Sequence, residues 1–229
     1  VVEAGLALLW KICLPREDDN TIVLGGSLEN IHSAVSILDR AKTPEVFEAG
    51  CGLVANFALV QAFPPDVAHR VATRICNLLD DPEFRTREVA NAAIHTLCNL
   101  YANDFAKPGM VTVGALLPTA LSLLEEFPDE EEVVEYVCLT VSRAAREDSE
   151  KKQFLAGPTM FRLVRMAFES FVTDRGSKPS YAIKDAALCF FACISGCEIG
   201  AHTLVDSGLQ AELQTMLAME MDSDFRQIL

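Results

Sequence analysis

Five segments of this 229-residue chain restart the same apolar pattern, at Val1, Val46, Val89, Val133 and Ile183. The starts lie 45, 43, 44 and 50 residues apart. A unit of that length holds two or three helices but cannot bury a core alone, so neighbouring units must stack and share one. The expected fold is therefore all-α: a right-handed superhelix, an α-solenoid of about five repeats. Approximate unit boundaries fall at 1–43, 44–80, 81–126, 127–172 and 173–229.

Within each unit the pattern has a helical period. Five residues on from the start stand Leu6, Cys51, Ile94, Cys138 and Leu188; eight on, Leu9, Val54, Leu97, Val141 and Phe191; eleven on, Ile12, Phe57, Leu100, Ala144 and Ile194. Steps of three residues keep these side chains on one helix face. Four on stand Gly5, Gly50, Ala93, Val137 and Ala187, mostly small, as close helix packing requires. Proline or an acid precedes most of these long helices, as in Thr43-Pro44-Glu45 and Asp81-Pro82-Glu83, which suits a first helical turn. Shorter amphipathic helices are predicted between them, over 28–38, 67–79, 116–124, 160–171 and 209–219.

Two further features carry a resemblance. A Gly-x-Leu step recurs at Gly26-Ser27-Leu28, Gly114-Ala115-Leu116 and Ser207-Gly208-Leu209, with Ala156-Gly157-Pro158 as a variant. The long helices end in Val54-Ala55-Asn56-Phe57-Ala58 and Leu97-Cys98-Asn99-Leu100-Tyr101. These resemble the armadillo repeat, whose third helix ends in a Leu-Ser-Asn-Leu-Ala pattern, and the resemblance spans essentially the whole chain. The stretch 60–65 is too short for a first helix, so that junction is HEAT-like, and a polar loop over 173–179 lengthens the last interval.

Composition narrows the function classes. A net charge of −14 and a pI near 4.7 oppose binding to nucleic-acid backbones or anionic membranes and favour basic partners. No apolar run approaches a membrane span. The eight cysteines fall mostly at apolar helix positions and no N-x-[ST] acceptor occurs, pointing to a reducing interior, cytoplasmic or nuclear. The chain begins and ends inside apparent helices, so both ends are expected to be cuts through a longer protein. The four histidines stand in separate units without a nucleophile or paired carboxylate, and no phosphate-binding glycine motif occurs; no enzyme activity and no cofactor are expected. Cys189, Cys193 and Cys197 lie along one helical stripe near His202, but three ligands spread along a straight helix cannot reach one ion, so no metal site is expected and the thiols read as packing or groove-lining. The acidic run from Glu125 to Glu132 reads as a solvated helix start, with docking of a basic segment as the alternative.

Resemblance to armadillo repeats implies that the third helices line a concave groove. Ten on from each start stand Lys11, Asn56, Asn99, Arg143 and Cys193. An asparagine amide there can donate to and accept from an extended peptide backbone. Tyr136 and His95 share that face. The expected groove contacts are thus Lys11, Asn56, His95, Asn99, Tyr136 and Arg143. The expected function is a non-enzymatic scaffold that clasps a peptide or helix of another protein, with a structural subunit of a large assembly as the alternative. A karyopherin-like transport adapter fits less well. Import receptors of the importin-alpha type, which resemble this fold, carry tryptophan in the row where this chain has Ala7, Gly52, His95, Leu139 and Cys189.

Overall fold

The computed structural model describes residues 28–60, 63–102, 115–146, 148–173 and 180–219. Eleven α-helices stand among them: α1 (Leu28–Arg40), α2 (Pro44–Val60), α3 (Pro65–Leu79), α4 (Arg87–Ala102), α5 (Leu116–Glu126), α6 (Glu131–Ala145), α7 (Ser149–Leu155), α8 (Pro158–Phe168), α9 (Tyr181–Ser195), α10 (Glu198–Asp206) and α11 (Leu209–Met219). A 3-10 turn, Pro82–Phe84, leads into α4, and α8 widens into a π-helical turn at Glu169–Thr173. No strand occurs among the described residues.

The long helices start where they do for a repeated local reason. The backbone N–H of Val46 reaches the Thr43 hydroxyl at 3.5 Å, that of Val89 the Thr86 hydroxyl at 3.3 Å, and that of Ile183 the Ser180 hydroxyl at 3.3 Å. A hydroxyl three residues ahead of the first apolar position thus satisfies an N–H that the helix itself cannot. The fourth long helix lacks this device: Glu130 makes no side-chain cap, and α6 opens on two acids instead. Thr86→Ala should cost about 1 kcal/mol, measured as a shift in denaturant midpoint at unchanged slope.

The long helices α2, α4, α6 and α9 lie side by side in chain order, and α1, α3, α5 and α8 form a second row behind them. One core runs between the rows. Cys51, Val54, Phe57, Ile94, Leu97, Leu100, Cys138, Val141, Phe191 and Ile194 are buried in it. The small column beside them, Gly50, Ala93, Val137 and Ala187, is buried in every long helix. Ala144 and Leu188, expected in the same stripe, are only half-buried. The result is an all-α solenoid, as the periodicity requires.

The glycines ahead of the short helices act in two ways. Gly208 has φ of +74°, a left-handed conformation that side chains resist. Gly157 has an ordinary φ of −60°, but a Cβ there would meet the Phe154 carbonyl oxygen at 2.9 Å. Gly26 and Gly114 lie outside the described residues.

Candidate functional site

The open side of the long-helix row holds most of the expected contacts. On α4 and α6, the His95 and Tyr136 rings stack with centroids 4.4 Å apart and planes 16° from parallel. Both rings are half-buried. Asn99 stands one turn beyond His95, its Nδ2 3.2 Å from His95 Nε2. Arg143 lies one unit further on, also half-buried. Asn56 is on α2, 3% exposed, and Asn99 is 7% exposed. Lys11 lies outside the described residues.

The residues ten on from each start form a ladder across the seams between long helices. Asn99 Nδ2 donates to the Ala55 carbonyl at 3.2 Å. Arg143 Nη1 donates to the Cys98 carbonyl at 3.0 Å and lies 2.8 Å from the Cys98 sulfur. The Cys193 thiol donates to the Ser142 carbonyl at 3.5 Å. Each acceptor is the residue just before the equivalent position in the preceding unit. Thr96 adds a buried rung, its hydroxyl 2.8 Å from the Cys51 carbonyl. Helix carbonyls have a second lone pair to offer, and these side chains use it. Asn99 and Arg143 therefore join the units as well as bordering the open face.

An acidic column runs along the same face, which the asparagine-centred reading did not single out. Two on from each start are Glu48, Asn91, Glu135 and Asp185 in the described helices, with Glu88 and Glu132 one residue ahead of their starts. Burial pushes the Glu48 carboxyl above its ordinary range, and repulsion from Glu88 and Glu45 pushes it further. Glu135 is raised by burial first and then by Glu131, Glu132 and Asp185. Glu88 on α4 thus acts on Glu48 on α2, and Asp185 on α9 acts on Glu135 on α6.

Part of the acidic helix start is pinned rather than simply solvated. Glu130 pairs with Arg87 at 2.7 Å, Glu132 accepts from the Asn91 amide, and Glu131 accepts from the Ser180 hydroxyl. The first two bonds reach back to α4 and the third reaches forward to the cap of α9.

The cysteine stripe divides by depth. Cys189 is exposed, Cys193 half-buried, and Cys197 buried as the N-cap of α10, where its sulfur accepts from the Gly200 N–H at 3.4 Å. Among the described residues, no group of three or more His, Cys, Asp or Glu is placed to hold a metal ion. No described helix is long and apolar enough to cross a membrane.

No protein-family model matches the chain, and no curated protein matches it in sequence. Solved structures do match. A designed armadillo repeat protein superposes with a TM-score of 0.66 at 18% identity, over 96% of this chain and 87% of that one. A second designed armadillo repeat protein, solved in complex with the peptide (KR)4, gives 0.62 at 18% identity over 99% and 88%. A structure of computationally designed armadillo repeat proteins for modular peptide recognition gives 0.64 at 20% identity over 95% and 86%. The fold is armadillo-repeat-like over nearly the whole chain.

Proposed function

We propose that this solenoid is a non-enzymatic binding scaffold that holds an extended basic segment of another protein along the open face of α2, α4, α6 and α9. The observation that carries this reading is the acidic column. Burial raises the Glu48 and Glu135 carboxyls above their ordinary range, and the negative charge of neighbouring carboxylates adds to it. Mutual repulsion of this kind is unfavourable in the free chain and is relieved by a docked cation. The stacked His95–Tyr136 pair beside Glu132 and Glu135 presents an aromatic surface on which an arginine or lysine stem can lie. Arg143 borders the same face, and its remaining donors suit a carboxylate or carbonyl of the ligand. Asn56 and Asn99 stand beneath it, with the Asn99 amide oxygen able to accept from a peptide N–H. The armadillo-like neighbours designed for peptide recognition, one solved with (KR)4, support the same use of the fold.

Charge neutralisation tests the reading. Glu135→Gln with Asp185→Asn should weaken binding of an alternating Lys-Arg peptide about tenfold or more, with slower association and a shallower salt dependence. Wild-type affinity should also rise with pH. Glu135 is held above its ordinary pKa in the free chain, so it is partly protonated in mild acid. Its negative charge, and with it the attraction for a basic peptide, is complete only above that raised value. Equal binding of the basic peptide and a Gly-Ser peptide of the same length would sink the proposal, as would an unchanged affinity in the double variant.

A further inference from the structure

We propose that His95, Asn99 and the Ala55 carbonyl form a proton-sensitive latch across the seam between α2 and α4, closed while His95 is neutral and released when its ring takes up a second proton. The geometry forces the assignment of hydrogens. Asn99 Nδ2 lies 3.2 Å from the Ala55 oxygen and 3.2 Å from His95 Nε2. A backbone carbonyl can only accept, so the amide nitrogen of Asn99, not its oxygen, must face Ala55. Its second hydrogen then points at Nε2. That nitrogen must offer a lone pair, which places the single imidazole proton on Nδ1.

Protonation at Nε2 sets an N–H against an NH2 group. Two donors cannot share that space, so one side must give way. Either the ring turns out of its stack with Tyr136, or Asn99 leaves the Ala55 carbonyl and the rung between the two long helices opens. Both movements happen on the open face of the solenoid.

The charged and titratable groups on the packed elements are Glu45, Glu48 and Cys51 on α2, Glu131, Glu132, Glu135, Tyr136, Cys138 and Arg143 on α6, and Arg87, Glu88, Cys98 and Tyr101 on α4 itself. Among them Glu132 acts on the His95 ring and favours its cation, while burial disfavours it more strongly, so the ring is held below the ordinary imidazole range. A group depressed in this way stabilises the folded chain above its unfolded pKa, and the contribution is lost as pH falls through the folded value. The latch is therefore closed at neutral pH and opens on acidification below the ordinary imidazole range.

The test is a titration of the free 15N-labelled chain, so its outcome does not depend on whether the face takes a peptide. Long-range ring correlations should show His95 at neutral pH as the Nδ1–H tautomer, the minor form of free imidazole. The Asn99 side-chain NH2 should exchange about tenfold more slowly than an exposed amide and lose that protection with the same midpoint as His95. An Nε2–H tautomer at neutral pH overturns the latch, and so does Asn99 protection that persists after His95 has titrated. Two variants complete the test. Asn99→Ala should return His95 to the common tautomer. His95→Gln, whose amide oxygen accepts at any pH, should make Asn99 protection independent of pH; if it still followed the wild-type titration, the latch is excluded. Either variant gives this answer if the other fails to fold.

Discussion

Phe191→Ala removes about 3–5 kcal/mol, and the loss stays at one end of the chain. Phe191 is 2% exposed and sits among three other rings. It meets Phe168 edge-on at 5.8 Å and 82°, Phe190 at 5.7 Å and 77°, and Phe161 tilted at 6.0 Å and 59°. Phe161 and Phe168 come from α8, Phe190 and Phe191 from α9, so this cluster joins the two rows. Truncation leaves a void with aromatic walls that cannot close without moving one row against the other. Each unit touches mainly its neighbours, so the damage is local. Hydrogen exchange should show α8 to α10 losing protection while α2 and α4 keep theirs. A uniform loss from α1 onward would show that the solenoid melts as one body.

Gly200→Ala is the second large effect, at about 3 kcal/mol when overpacking and a displaced carbonyl are counted together. A Cβ at Gly200 would lie 2.0 Å from the Ile194 carbonyl oxygen and 2.6 Å from its carbon. That oxygen already accepts the Cys197 N–H at 3.1 Å and the Cys197 thiol at 3.3 Å. The start of α10 rests directly on the end of α9, and a methyl group pushes them apart. Gly208→Ala is the control. Its φ of +74° makes any side chain strained, but nothing lies within 4 Å of the added atom. It should cost only about 1–2 kcal/mol. Thermal unfolding of the two variants side by side separates collision from conformational strain; equal losses would mean that the contact with Ile194 yields freely.

The long helices were legible because their burial repeats with the sequence period. Val54, Leu97, Val141 and Phe191 are one column in the sequence and one buried stripe in the structure. The groove was less legible. Asn56 and Asn99 stood out by residue type, yet their depth depends on how closely the next helix approaches, which one chain's pattern does not encode. The cross-seam acceptor of Asn99 is a main-chain carbonyl, which leaves no mark on the choice of residue at Ala55, and Arg143 reaches the Cys98 carbonyl as well as its sulfur. The acidic column was present two residues on from most starts, at Glu48, Glu135 and Asp185 with Asn91 as the exception, but its meaning rests on Asp185 on α9 coming near enough to Glu135 on α6 to act on it. The half-burial of Ala144 and Leu188 is likewise a matter of tertiary placement, since both residue types are tolerated at either depth.

The ladder along the seams has a consequence for how such a chain can change over generations. A side chain that addresses the backbone of its neighbour asks nothing of that neighbour's sequence. An amide at Asn99, a guanidinium at Arg143 and a thiol at Cys193 all find the same kind of acceptor. A unit can therefore drift, or be copied and inserted, without a matching substitution next door. Only the reach of the donor must suit the gap. Joints of this sort let units diverge almost independently while the register between them is inherited intact.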